Sequence, residues 1–366
     1  MKMYIPIMKN RKEELKVIEN MKDYFNESMI PLIEIIRDEY KIQYKIDEVT
    51  KEYVYELKSG NKRKTRVKLE PKEKDIITLE KIQDRLNEKK AFIDFFRFSK
   101  NEYNSKEGFT GIELSFKLRE YDYYKQRILK VGKFTNLIPV ISIKKDFKIS
   151  EHDFTKLIYD LRKDNSSIAV RITDNYLDDY LEILEKHLTQ MDYIMLDIRN
   201  QHVDSKFIEL EDFQDLETNA KKILLNSPRS RNYKNGDFEN LSYTKKIDNK
   251  VARIYTKYKL DGFGDFGGLK DDLPVKGGGN GLGAALGLIY CKEENAFYSI
   301  VNYDTNMGVK GYEYVRNEIL KRLSLLDNKG DCIALKRIKN MEGKYGNWGT
   351  WNNLALTRYI QQQVKK

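Results

Sequence analysis

Short apolar runs recur along the first two thirds of the chain, and their spacing restricts the folds that it can adopt. Each run has the length and residue types of a β-strand, and most are separated by enough residues for one helix. The eight runs are Met3–Met8, Met29–Ile36, Ala91–Phe98, Leu137–Ile143, Ser167–Thr173, Asp192–Arg199, Lys222–Asn226 and Val251–Lys257.

Eight strand-then-helix units in about 258 residues match the usual length of a (β/α)₈ barrel. Parallel strands that are buried on both faces have near-continuous apolar sequences of this kind. An intervening segment also has helical periodicity, with the apolar stripe Leu177, Tyr180, Leu181, Leu184 and Leu188. The sequence therefore predicts an α/β fold, a closed TIM-like barrel, with an open doubly wound sheet as the alternative.

The predicted barrel spans residues 1–258, with an insertion at residues 39–74 after the second strand. Residues 259–366 form a predicted extension packed on the barrel. It begins with a glycine-rich loop, continues through a β-hairpin between Ala284 and Tyr303, and ends in helices.

The composition favours a folded protein of the cytoplasm. No apolar run approaches the roughly 20 residues that a membrane span needs, and the first residues become charged too early for a signal peptide. The chain has two cysteines, Cys291 and Cys332, without paired spacing. So few cysteines without paired spacing are typical of a protein in a reducing compartment, and packing is the favoured role for both residues.

The formal net charge of +10 favours an anionic partner. Basic residues concentrate between Lys58 and Lys68, where no acidic residue occurs and strand-like alternation flanks a Ser-Gly-Asn turn. We interpret this segment as a basic hairpin whose Lys62, Arg63, Lys64 and Arg66 bind nucleic acid while Tyr53 and Tyr55 stack on bases. The alternative is a solvated insertion whose charges protect an edge strand.

Residues 261–283 hold nine of the 21 glycines of the chain. Loops after the last barrel strands often bind phosphate, so we expect ligand contacts at Asp265 and Gly278. The spacing matches neither a Walker loop nor a dinucleotide fingerprint. A lid or a plain connector is the alternative interpretation.

Charged residues gather at the predicted carboxyl ends of the strands, where barrel enzymes place their sites. The predicted catalytic residues are Glu34, Asp94, Arg171 and Asp197. The predicted ligand-binding residues are Lys9, Arg97, Arg199, Asn226, Arg229, Arg231 and Lys257. Arg or Lys would hold a phosphate, and a carboxylate would act as general base. The alternative is a set of structural ion pairs.

The sequence does not identify a cofactor. The three histidines, His152, His187 and His202, fall outside the predicted strand ends. Their positions argue against a zinc hydrolase site, which needs several histidines at the strand ends. Mg²⁺ held by Glu34, Asp94 and Asp197 is compatible with the residue types. No nicotinamide or flavin motif is present.

Several segments resemble one family. They are YIPIMK, IPLIEII, FIDFFRF, IMLDIRN, DGFGDFGG, KGGGNGLGAALGLIY and the closing Trp/Asn tail. Together they resemble the beta protein family of bacteriophages, prophages and bacterial mobile islands. The resemblance covers nearly the whole chain, and the basic hairpin is longer than the family pattern. It implies a phage-related or antiphage context, and it does not imply a reaction.

Two functional hypotheses follow from these patterns. The favoured one is a nucleic-acid-binding protein, with nucleic acid or a phage protein as its partner and no membrane association. The other is a barrel enzyme, a phosphodiesterase or another hydrolase, that acts on a nucleotide or a phosphorylated small molecule.

Overall fold

The computed structural model describes residues 2–57, 60, 62–97, 113–227, 234–247, 250–267, 271, 283–326 and 330–364. Its centre is a closed barrel of eight parallel strands with helices around it, as the sequence predicts. The strands are, in chain order, β1 Met3–Lys9, β2 Leu32–Glu34, β3 Tyr55–Glu56, β4 Thr65–Arg66, β5 Ala91–Asp94, β6 Leu137–Ile143, β7 Ala169–Thr173, β8 Tyr193–Asp197, β9 Lys221–Asn226, β10 Ser242–Tyr243, β11 Gly262–Asp265, β12 Ala285–Cys291 and β13 Ala296–Asn302.

The barrel closes through the neighbour order β1-β11-β9-β8-β7-β6-β5-β2, and β2 pairs with β1. Side chains alternate between two apolar clusters along each strand, because successive residues point to opposite faces. In β1, Ile5 and Ile7 pack inside the barrel, whereas Tyr4 and Met8 pack in the layer between strands and helices. This alternation fixes which side chains reach the barrel axis.

The eighth barrel strand is not the one that the sequence predicts. The run Val251–Lys257 is not a strand, since its first half forms the short helix Val251–Ile254, and the strand is Gly262–Asp265. A Cβ atom at Gly262 would lie 2.4 Å from the Met3 carbonyl oxygen, and one at Gly264 would lie 2.5 Å from that of Ile5. Close approach of β11 to β1 therefore requires glycine here, inside a segment that the sequence suggests is a loop.

Helices surround the barrel and also form the later part of the extension. They are α1 Lys12–Met21, α2 Thr78–Leu86, α3 Glu113–Lys117, α4 Tyr121–Leu129, α5 Glu151–Arg162, α6 Leu181–His187, α7 Phe207–Asp215, α8 Val251–Ile254, α9 Gly311–Leu320, α10 Leu323–Leu326, α11 Ile333–Lys339 and α12 Trp348–Val364. None of the helices in the described ranges is long and apolar enough to cross a membrane.

The last helix, α12, belongs to the helical ring of the barrel. It packs beside α1, where the Asn353 amide donates a hydrogen bond to the Glu13 carbonyl oxygen at 2.6 Å. The Tyr359 hydroxyl donates to the Asp265 carboxylate at the end of β11, at 2.7 Å. Helix α12 thus supplies the helix that follows the last strand in a (β/α)₈ barrel.

Two antiparallel additions match the sequence expectations. After β2, strands β3 and β4 form a two-stranded hairpin. After β11, β12 and β13 pair antiparallel, and the short β10 extends their sheet. Their outer side packs against α9 and α12 in a second apolar cluster, where Trp351 stacks on Tyr312.

A substitution at Gly267 tests the packing of α12 against the barrel. This residue has φ +66°, and an added Cβ would lie 2.1 Å from Leu356 of α12. We expect Gly267→Ala to lower the free energy of unfolding by about 1–3 kcal/mol beyond the left-handed backbone penalty alone, because it overpacks this contact.

The matched control is Gly330→Ala, since Gly330 has φ +62° and open space around its Cα. Both variants carry the same backbone penalty, so chemical denaturation of the pair isolates the packing contribution. Equal losses in the two variants would show that α12 does not press on the barrel at Gly267.

Candidate functional site at the barrel mouth

A layer of polar side chains crosses the barrel at the carboxyl ends of its strands. Inward-facing positions are apolar along most of the barrel and become polar at this last level. The polar members are Lys9 on β1, Glu34 on β2, Asp94 on β5, Ser142 on β6, Arg171 on β7 and Asp197 on β8, and all are buried. The structure therefore brings together the four residues that the sequence predicts as catalytic.

Arg171 is the centre of this layer. Its Nη1 lies 2.7 Å from Glu34 Oε1 and 2.9 Å from Asp94 Oδ2. Its Nη2 and Nε donate to Asp197 Oδ2 at 2.6 and 2.8 Å. One guanidinium thus joins carboxylates from three other strands through charge-assisted hydrogen bonds.

Burial and neighbouring charges act in opposite directions on these groups. Burial lowers the pKa of Arg171, but the carboxylates of Asp197, Glu34 and Asp94 outweigh it and raise the pKa well above its ordinary value. For Asp94, burial raises the pKa more than the nearby Arg171 lowers it. The Ser142 hydroxyl also donates to Asp94 Oδ1 at 2.6 Å.

A second group of charges lies above the first. The Asp271 carboxylate accepts from Lys9 Nζ at 2.5 Å and from Arg199 Nη2 at 2.5 Å. Lys9 also pairs with Glu34 Oε2 at 2.7 Å. Lys9 therefore links the central layer to Asp271, which the chain supplies after β11.

Phe96 provides an aromatic surface among these cations. The Lys144 Nζ lies 3.9 Å from its ring centroid, and the guanidinium carbons of Arg171 and Arg199 lie at 5.6 and 5.3 Å. Cations at such distances are attracted to the ring electrons. Phe96 thus helps the mouth hold several positive side chains close together.

Two further predicted residues lie near the mouth. Arg97 donates to the Ser142 carbonyl oxygen at 2.6 Å, with its guanidinium between the rings of Tyr124 and Phe147. Burial lowers the pKa of Arg97. Asn226 is buried at the end of β9.

Two predicted ligand-binding residues are placed elsewhere. Asp265 faces the helical layer, where it accepts hydrogen bonds from Tyr4 and Tyr359, so it links the last helix to the barrel. Lys257 is exposed and precedes β11, at the amino end of the barrel strands. The sequence places Lys257 at the mouth because its run, Val251–Lys257, has the pattern of a strand, and the structure shows that this interpretation is wrong. Arg229, Arg231 and Gly278 lie outside the described residues.

Two mouth residues, Lys144 and Asp271, are not among the residues that the sequence predicts at the strand ends. Lys144 follows Ile138, Val140 and Ser142 at intervals of two, so strand alternation is a signal for it. Asp271 itself is not part of a strand, and no periodicity marks it. The sequence shows only its position in the glycine-rich region.

The carboxylates of the mouth are directed at a guanidinium. Arg171 takes the central position that a magnesium ion would need between Glu34, Asp94 and Asp197. In the described ranges, no group of three His, Cys, Asp or Glu side chains is arranged to hold a metal ion. The arrangement suits two chemical roles, which are closing the barrel by ion pairs and binding an anion at its cationic edge.

The predicted nucleic-acid-binding residues lie apart from the mouth, on the insertion. Arg66 of β4 pairs with Tyr55 of β3, and isolated bridges join Tyr44 to Lys68 and Ile46 to Tyr53. Paired residues share a face of a sheet. Alternation extends this face to nine residues, which we call the insertion face: Ile42, Tyr44, Ile46, Tyr53, Tyr55, Leu57, Lys64, Arg66 and Lys68.

The insertion face is open to solvent. Ile42, Ile46 and Leu57 are 54%, 51% and 60% exposed, and Tyr55 is 51% exposed. The Arg66 guanidinium lies 4.2 Å from the Tyr53 ring centroid and 5.6 Å from that of Tyr44. Lys62 and Arg63 are exposed and precede β4.

Comparison with known protein families identifies the family of the chain. The sequence profile of a family described as Beta protein matches residues 4–365, which is nearly the whole chain. No curated protein and no solved structure is significantly similar to the chain.

The structural role of the mouth can be tested at Arg171. We expect Arg171→Met to lower the free energy of unfolding by about 3–5 kcal/mol near neutral pH, because it leaves three buried carboxylates without their shared cation. The loss should shrink as the pH falls. Burial already raises the pKa of Asp94 in the folded state, and protonation through that raised pKa removes the unpaired charge.

Chemical denaturation at about pH 8 and about pH 5 measures both effects. Arg85→Met is the control, because Arg85 pairs with Glu19 on the surface, and an exposed pair contributes about 0–1 kcal/mol. A loss at Arg171 as small as the one at Arg85, or one that grows toward acid, would contradict the structural role.

Proposed function

The chain belongs to the Beta protein family, and from that premise we propose that it is a phage-related protein that binds nucleic acid through the insertion face. The family resemblance implies the phage-related or antiphage context. The ligand class is inferred from the chemistry of the insertion face, and single strands are the form of nucleic acid that suits it.

The observation that carries this proposal is the mixture of side chains on one exposed sheet face. Folded chains usually cover their large apolar side chains, and contiguous exposed ones mark interaction surfaces. Here Tyr53 and Tyr55 alternate along one strand opposite Lys64, Arg66 and Lys68. Aromatic rings stack on bases, whereas cations at the same spacing contact phosphates.

The charge of the chain supports the same ligand. The formal net charge is +10, which attracts a polyanion from a distance. Arg66 already lies against Tyr53 and Tyr44, so Lys64 and Lys68 are the cations better placed for phosphates. Lys62 and Arg63 extend the basic surface beyond the face.

Phosphate contacts and base stacking differ in how strongly they depend on salt concentration. We expect Lys64→Ala/Lys68→Ala to weaken binding of single-stranded DNA and RNA oligonucleotides uniformly across sequences, and to flatten the dependence of affinity on salt by about 0.7 slope units per lost phosphate contact. Tyr53→Ala/Tyr55→Ala should weaken binding by about 1–3 kcal/mol per lost stacked base and leave the salt slope unchanged.

Fluorescence anisotropy at several salt concentrations measures both quantities. Lys41→Ala/Lys45→Ala removes the same charge from the opposite face of the insertion and should change affinity less. Equal effects of the two lysine pairs would attribute binding to net charge alone. Absence of nucleic-acid binding by the unmodified protein at low salt would refute the proposal and leave a phage protein as the expected partner.

A hydrolase that acts on a phosphodiester is the second candidate, and one feature of the mouth favours it. Asp94 is buried at the carboxyl end of β5, and burial raises its pKa, as a general acid requires. Glu34 shares Arg171 Nη1 with Asp94, and Asp197 lies on the other side of the guanidinium, so either one would supply the carboxylate that acts as general base.

If the mouth is catalytic, the protein should hydrolyse bis(p-nitrophenyl) phosphate, and Asp94→Asn should reduce the rate by about 10²–10⁴-fold while the protein remains folded. The rate should fall as the pH rises through the raised pKa of Asp94, since only the protonated acid donates. A hydrolysis rate at background level, both with and without added Mg²⁺, would rule out a hydrolase that acts on phosphodiesters.

A further inference from the structure

We propose that Lys9 and Arg199 form a binding subsite for a phosphate group, and that Asp271 occupies this subsite in the structure as an internal substitute for the ligand. The inference concerns the barrel mouth and does not depend on nucleic-acid binding by the insertion face.

The geometry of Asp271 is that of a bridging anion. Its Oδ1 lies 2.5 Å from Lys9 Nζ, and its Oδ2 lies 2.5 Å from Arg199 Nη2. Two oxygens of a phosphate group have a similar separation and would meet the same two donors. An arginine with a lysine is a common pair of phosphate ligands in proteins.

Asp271 differs from the other carboxylates of the mouth in its origin. Glu34, Asp94 and Asp197 belong to barrel strands and are fixed by strand pairing. Asp271 follows the last strand and belongs to none of them. Its carboxylate is therefore the member of the network that can leave without breaking the barrel.

Arg199 is placed at the edge of the mouth by an uncommon backbone conformation. Its φ is +54°, in the left-handed region that a residue with a side chain seldom adopts. The Asp197 carboxylate accepts from the Arg199 backbone N–H at 2.9 Å, and the Arg199 carbonyl accepts from Ser227 N–H at 2.6 Å. Such strain is concentrated at functional sites.

Lys9, Asp271 and Arg199 differ in how far their side chains are exposed to solvent. Lys9 and Asp271 are 2% and 3% exposed, whereas Arg199 is 19% exposed. Solvent thus reaches the subsite from the arginine side. The rings of Phe96 and Phe266 lie near Lys9, at 5.7 and 4.7 Å from its Nζ, and exclude water on the inner side. An anion held there interacts with both cations in a medium of low polarity.

The test is Asp271→Asn titrated with inorganic phosphate by isothermal titration calorimetry at constant ionic strength. The neutral amide competes less well for the two cations, so we expect affinity for phosphate to rise about tenfold or more over the unmodified protein. Adding Arg199→Gln to the same protein should remove the gain. Chloride at the same ionic strength should not reproduce it.

Asp174→Asn is the matched control, because Asp174 is a buried carboxylate whose cationic partner is Lys206, at 2.5 Å, rather than Lys9 or Arg199. It makes the same charge change and should not raise phosphate affinity. A folded Asp271→Asn protein whose phosphate affinity equals that of the Asp174→Asn protein would overturn the proposal.

A second measurement keeps the inference testable if Asp271→Asn does not fold. The unmodified protein should show a small phosphate-dependent rise in Tm, because phosphate competes with Asp271 for the native subsite. Arg199→Gln should abolish that rise. A rise that is the same in both proteins, or absent from both, would reject Lys9 and Arg199 as the phosphate subsite.

Discussion

The salt-bridge cluster around Arg171 is the interaction on which the barrel mouth depends. A guanidinium without carboxylates could not be buried among eight strand ends, and three carboxylates without a cation could not be buried there either. Each partner makes the burial of the others possible. Since Glu34, Asp94, Arg171 and Asp197 come from four strands, their pairing requires those strands to be closed into one barrel.

The charged side chains of the mouth and those of the insertion lie in different environments. At the mouth, cations are paired with carboxylates and surrounded by aromatic rings, so they contribute little to the field outside. On the insertion, Lys64 and Lys68 lie in solvent beside exposed tyrosines. Under the proposed function, long-range attraction of a polyanion would come from the insertion, and selectivity for a small anion would come from the mouth.

The sequence was sufficient to predict seven of the barrel strands, Arg171 and the three carboxylates that meet at it. Buried parallel strands have continuous apolar runs, and alternation places their last polar residue inside the barrel. The eighth strand was missed because Gly262 and Gly264 are required by close backbone approach, and glycines otherwise indicate a loop. Asp271 was missed because its partners, Lys9 and Arg199, are distant in sequence and no local pattern connects them.

A double-mutant cycle between Glu34 and Arg171 tests the central claim most directly. The two residues are 137 positions apart, and their atoms lie 2.7 Å apart only if the barrel closes as described. Unfolding free energies of Glu34→Gln, Arg171→Met and the double variant give their coupling. A favourable coupling of about 1–3 kcal/mol is predicted for a buried pair in one network. Additivity within about 0.5 kcal/mol would contradict a mouth that is organised around Arg171.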